Sequence, residues 1–175
     1  MNLKSVGICA LLLLIISLMY STIGVGITLL IFAIIFLAMA ILFSIKLEYY
    51  DKFLSFVNPG LYSAYSEKGS DFIRKKRIMN IIGYYIISAI TAFNAFMQIK
   101  LMNKMNTKPL FNFSEFLPFA LVVLGGMLIT NYISILIARK SKTANKDLAW
   151  NIIIGIVLAI ILMGFISFYI LRLIL

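Results

Sequence analysis

Six carboxylates, sixteen lysines and arginines, one cysteine and no histidine make up the charged and thiol chemistry of this 175-residue chain. The absence of histidine removes the commonest general base and metal ligand and the usual pH switch. The acids are Glu48, Asp51, Glu67, Asp71, Glu115 and Asp147, and all six lie outside the long apolar runs. Proton- and cation-coupled transporters keep a carboxylate or histidine near mid-membrane, where its cost is tolerated only for function. Ion-coupled antiport and a carboxylate-lined cation path are therefore disfavoured. With no histidine metal motif, no G-x-S-x-G elbow and no P-loop lysine, the chain reads as non-enzymatic, with no catalytic, cofactor-binding or metal-ligating residues to nominate. Cys9 excludes an intrachain disulfide and, inside an apolar run, reads as a small hydrophobe.

What the apolar runs do carry is small and polar residues at helix–helix spacing. Tyr84, Ser88, Thr91, Ala95 and Gln98 follow a 4-3-4-3 pattern with Asn94 beside them. Gly126, Thr130, Ser134 and Ala138 recur every four residues, with Gly125 and Asn131 adjacent, and Asn151, Gly155 and Ala159 line up further on. Small side chains on one helix face let two backbones approach closely, and polar ones add interhelical hydrogen bonds worth about 0.6 kcal/mol each. Ser88, Thr91, Asn94, Gln98, Gly126, Thr130 and Ser134 are the candidate helix-packing or partner face. Arg74, Lys75, Lys76 and Arg77 form a basic cluster, a candidate contact for anionic lipid or an acidic partner.

The elements that must position these residues are membrane spans. Hydrophobic residues are 63% of the chain and charged ones 13%, against about a quarter charged in soluble domains. An α-helix needs about 20 apolar residues to cross roughly 30 Å of hydrocarbon. Val6 to Ile45 carries no charge and is twice that length, with a break of small and polar residues between Tyr20 and Gly26. Five spans are predicted, at about 6–21, 25–45, 80–99, 117–138 and 149–171. Unbroken apolar runs exclude a transmembrane barrel, whose strands alternate. The first run is short, yet no small-x-small cleavage site precedes a polar mature chain, so it is expected to stay as a span. Residues 46–79 form the one substantial polar loop. Its alternation of charge and aromatics predicts an interfacial amphipathic helix up to Asn58-Pro59-Gly60. Asp147 is the expected N-cap of the last helix. The fold class is thus all-α and integral to the membrane: a single domain over 1–175, a five-helix bundle with a cytoplasmic interfacial segment between helices 2 and 3.

Basic residues fix the orientation. With the N-terminus inside, twelve lie on cytoplasmic segments (Lys4; Lys46, Lys52, Lys68 and 74–77; Arg139, Lys140, Lys142 and Lys146). Four lie outside: Lys100, Lys104, Lys108 and Arg172. That asymmetry is the positive-inside signature, with the C-terminus outside. It also accounts for the net charge of +10 without nucleic acid. The Ile, Lys, Asn, Phe and Tyr palette suggests a low-GC bacterium and its cell membrane. The expected partners are membrane lipids and either a membrane protein or a second copy of the chain. The function expected is non-catalytic: an accessory subunit of a membrane complex, or an immunity-type protein against a membrane-active toxin. The alternative is a small transporter subunit or channel for an uncharged or weakly charged substrate.

Overall fold

The structure, a computed structural model, describes residues 3–105 and 113–157. Among the described residues there are seven helices: α1 (Leu3–Ile23), α2 (Val25–Ile45), α3 (Leu47–Val57), α4 (Pro59–Ser66), α5 (Ser70–Met105), α6 (Phe113–Lys140) and α7 (144–157). Three helical stretches are long and apolar enough to cross a membrane: Val6–Ile23, Val25–Ile45 and Ser70–Leu101. Their surfaces expose Leu11, Leu18, Ile34, Ile86, Ile90 and Phe93, among many other large apolar side chains. A soluble monomer does not present apolar area on that scale, whereas a lipid-facing surface does. The chain is all-helical and of membrane type. The fourth expected span falls on α6. The fifth begins on α7, and its residues 158–171, with Ala159, lie outside the described residues, as do Lys108 and Arg172.

Helix boundaries follow local chemistry. The first apolar block breaks at a single residue, Gly24, whose φ of 85° suits glycine. The hairpin turn is thus tighter than the seven-residue break seen in the sequence. On the far side Thr28 Oγ1 donates to Gly24 O at 2.8 Å, fully buried. Lys46 takes an extended conformation and separates α2 from α3. In α3, Leu47, Tyr50, Leu54 and Val57 repeat at helical spacing; Tyr50 and Leu54 are buried while Glu48 and Lys52 are exposed. Asn58-Pro59-Gly60 ends α3 and also starts a second short helix. Asn58 Oδ1 accepts the Leu61 N–H at 3.2 Å, and Pro59 occupies the first helical turn. After the left-handed Gly69, α5 starts at Ser70, ten residues before its apolar run. The basic cluster therefore rides on the same rigid helix as the third span. At 36 residues α5 is roughly 54 Å long, well beyond the ~30 Å of a hydrocarbon core.

The central contact is the antiparallel pair α2–α5. On α2, Gly26, Ala33 and Ala40 are buried at seven-residue spacing; on α5, Ile81, Ser88 and Ala95 are buried at the same spacing. Seven-residue spacing keeps one seam facing the partner along both helices. At Gly26 a Cβ would fall 2.6 Å from Ile99 Cγ1 and 3.0 Å from the Ile99 backbone nitrogen, so only glycine allows this approach. Ser88 Oγ donates to Ala33 O at 2.8 Å across the seam. Helix α1 leans on α2 and α6, and Ser17 is its one buried residue between 6 and 23. The apolar core sits at the opposite extreme, where α3 and α4 meet the end of α2, the start of α5 and the α6–α7 corner. Phe43, Tyr50, Leu54, Tyr65, Phe72 and Ala138 are buried there. Phe43 packs edge-on to Tyr50 with ring centroids 5.7 Å apart, and Tyr65 packs on Phe72 at 5.8 Å.

Candidate functional site

The residues with the most chemical content gather in that same core. On α5 the positions Phe72, Ile73 and Lys76 share one buried face, so Lys76 points inward while Arg74 and Lys75 point outward. Lys76 Nζ lies 2.5 Å from Asp147 Oδ2 of α7, with side-chain exposures of 3% and 0%. Its ammonium also sits 5.3 Å from the centre of the Tyr65 ring, a cation–π distance. The carboxylate makes no directional hydrogen bond among the described residues, so the ammonium is its one evident partner. A buried pair of this kind is costly to form and far costlier to break from one side.

Around that pair most of the other links bridge two elements. Arg77 of α5 forks onto Asp51 of α3, Nε to Oδ1 at 2.7 Å with a second, shorter bond from Nη2 to Oδ2. Asn80 Nδ2 donates to Tyr50 Oη, and Asn58 Nδ2 donates to Asn131 Oδ1 on α6. Lys68 Nζ donates to Arg139 O at 2.6 Å. Ser134 Oγ donates to Asn151 Oδ1 at 2.8 Å, and Asn151 Nδ2 donates at 2.8 Å to the backbone carbonyl of Asp147. The result is a polar knot joining α3, α4, α5, α6 and α7. Burial pushes the Tyr50 hydroxyl up to about 12, the Asn80 bond pulling it partly back. Burial, followed by the Asp147 charge, drives the Tyr65 hydroxyl well above the ordinary tyrosine value. Both tyrosines are thus held as neutral phenols beside the ion pairs.

Asp147 does not cap α7. The helix starts at 144, and Thr143 Oγ1 accepts the Lys146 N–H at 3.3 Å, which is the capping bond. Asp147 lies a full turn inside, free of the cap and available to Lys76.

The residues singled out from the sequence fall into three groups. Ser88 and Ser134 bridge helices as just described; Thr130 spends its hydroxyl on Gly126 O of its own helix, at 2.7 Å. Thr91 is half-buried, and Asn94 and Gln98 are exposed on the flank of α5. Gly126 is half-buried, with nothing described within 4 Å of where a Cβ would stand. The basic cluster divides, Lys76 and Arg77 being neutralised internally and Arg74 and Lys75 left exposed. Two features escaped the sequence reading. One is the α2 seam, whose signal was the recurrence of Gly26, Ala33 and Ala40 at sevens. The other is the Lys76–Asp147 pair, whose signal was a lysine at the i+3/i+4 position of the Phe72–Ile73 apolar face.

Fold and site together define an all-helical membrane-type protein closed at one end by a buried polar knot. Comparison with protein-family models, with curated proteins and with solved structures returns no match for this chain.

Proposed function

We propose that this protein crosses the cell membrane of a low-GC bacterium five times, N-terminus inside and C-terminus outside, and acts without catalysis by docking a membrane partner. The partner class is a subunit of a membrane complex or a membrane-active toxin. The α3–α4 segment lies in the cytoplasmic head-group layer, where its exposed Tyr49, Lys52 and Phe56 suit the interface. The observation that carries the docking reading is the side of α5 and α6 that the fold leaves over. Asn94 and Gln98 are exposed one turn apart, on a helix whose seam residues Ser88 and Ala95 are already committed to α2. Gly126 on α6 has no described atom within 4 Å of where a Cβ would stand. Amides exposed on an apolar helix gain from a polar partner, and an open glycine lets a foreign helix come close. The test is co-purification from the native host in mild detergent. Asn94→Leu and Gly126→Leu should each reduce the recovered partner without affecting membrane insertion; unchanged recovery with both would reject the docking face.

The same exposed amides, Asn94 and Gln98, support a second reading in which they line a polar groove: a small transporter subunit or channel for an uncharged or weakly charged substrate. That reading requires flux through vesicles holding the purified protein alone. A solitary protein on purification together with such flux would replace the docking proposal.

A further inference from the structure

At the α6–α7 corner the chain forms an open groove of about 480 Å³. One wall is a strip of α6, Ile133, Leu136, Ile137 and then Lys140; the other is Lys142, Lys146 and Trp150. The order along the two walls is the informative part. Helix α6 runs towards the polar knot and α7 runs away from it. Both walls are therefore cationic next to the knot and apolar or aromatic farther along. Lys140, Lys142 and Lys146 are exposed, and neither ion pair among the described residues engages them. Trp150 is half-exposed at the rim.

We infer that this groove binds one anionic phospholipid, its phosphate held by the three lysines and an acyl chain lying along Ile133, Leu136 and Ile137. Charge complementarity selects the head group, since each lysine near a membrane surface favours anionic lipid by about fivefold. The apolar wall selects a tethered chain over a free anion, because a soluble phosphate gains nothing from isoleucine and leucine. Trp150 sits where an amphipathic ring prefers to be, at head-group level. The inference rests on the membrane reading but not on the docking one, since it involves neither Asn94 nor Gly126.

Trp150 is the chain's one tryptophan, so its fluorescence reports on this groove alone. The purified full chain in mixed micelles is titrated with brominated phosphatidylglycerol or brominated phosphatidylcholine, which quench on contact. The anionic lipid should quench at a mole fraction lower by about fivefold or more. Replacing Lys140, Lys142 and Lys146 together by alanine should erase that preference, and arginine at the same three positions should restore it. Arg74→Ala with Lys75→Ala, exposed cations outside the groove, should leave it intact. Equal quenching by the two lipids in the unaltered protein overturns the inference, and that arm needs no variant to fold. An equal loss from the Arg74/Lys75 variant also overturns it, by showing general attraction to a basic protein. Millimolar glycerol phosphate abolishing the preference would show that a free anion, not a lipid, is the ligand.

Discussion

The two ends of the α2–α5 pair are held by different physics. Towards the Gly26 end the seam relies on close approach: small residues on α2 and α5 let two backbones meet, with the Ser88–Ala33 bond across it. At the Phe43 end the same two helices meet buried aromatics, and α3, α4, α6 and α7 pack around them with polar cross-links. On the proposed membrane placement the difference follows from the solvent. Inside hydrocarbon, burying a leucine gains nothing from water, so association relies on packing and weak hydrogen bonds. At the membrane boundary water is present, apolar burial stabilises by about 1.5–3 kcal/mol per large side chain, and polar side chains can select one arrangement. Helix α1 shows what the first regime does without a small-residue seam. Between residues 6 and 23 it buries Ser17 alone, and that hydroxyl bonds back to Leu14 O of its own helix.

The largest effect should come from the knot. Asp147→Ala leaves the Lys76 ammonium buried with no counter-charge, a change that costs about 3–5 kcal/mol. Replacing both partners by apolar residues, Lys76→Met with Asp147→Leu, should recover most of that loss. Reversible unfolding in mixed micelles, followed by circular dichroism, measures both. If Asp147→Ala costs less than about 1 kcal/mol, the pair is hydrated in solution and the comparison between the two ends fails.

At the packing end the corresponding probe is steric. Gly26→Ala places a Cβ against the Ile99 side chain and backbone, so α2 and α5 must separate, at about 1–3 kcal/mol. Gly126→Ala meets no described atom within 4 Å and should be neutral, or stabilising by up to about 1 kcal/mol through helix propensity. The same unfolding assay distinguishes the two glycines. Equal costs would mean that α6 is packed as tightly as α2.

A third test uses pH. The unfolded chain loses a tyrosine proton near the ordinary value of about 10, whereas folded Tyr50 holds its proton to about 12. Between those values the unfolded state carries fewer protons, so stability is intact below about pH 10 and falls as pH rises towards 12. Tyr65, shifted in the same direction, deepens the fall. Tyr50→Phe should make the fall shallower, leaving the Tyr65 contribution. A stability profile level through that window would place both phenols in water.

Class and element type were legible because they depend on length and hydropathy, which the chain writes in consecutive residues. The hairpin and the amphipathic α3 follow from local spacing, whereas Asn58-Pro59-Gly60, read only as a stop, also starts α4. What was not legible depends on residues far apart in sequence. Asp147 next to an apolar run looks like a helix cap until α5 brings Lys76 to it across 71 positions. The cluster Arg74–Arg77 looks uniform as a string, but successive residues point 100° apart on a helix. Its members therefore meet different surroundings, two inside the knot and two outside it. The polar stripe on α5 was visible as a pattern. Which of its members face α2 depended on the α2 seam, and that seam was read only as apolar sequence.

The smallest effect sharpens the contrast most, because it concerns the neighbouring residue of the same helix. Arg77 and Asp51 retain 22% and 18% side-chain exposure, against 3% and 0% for Lys76 and Asp147. Water therefore solvates the survivor when one partner is removed, and Asp51→Asn should cost about 1 kcal/mol or less despite the two-pronged geometry. Salt provides the discriminating measurement. Raising ionic strength from about 0.1 M to 1 M shortens the screening length from about 10 Å to 3 Å, which weakens a partly hydrated pair and barely touches a dry one. The cost of Asp51→Asn should shrink over that range while the cost of Asp147→Ala holds steady. If both costs fall together, the knot is wet throughout, and its closure would rest on the Phe43, Tyr50 and Tyr65 aromatics instead of its ion pairs.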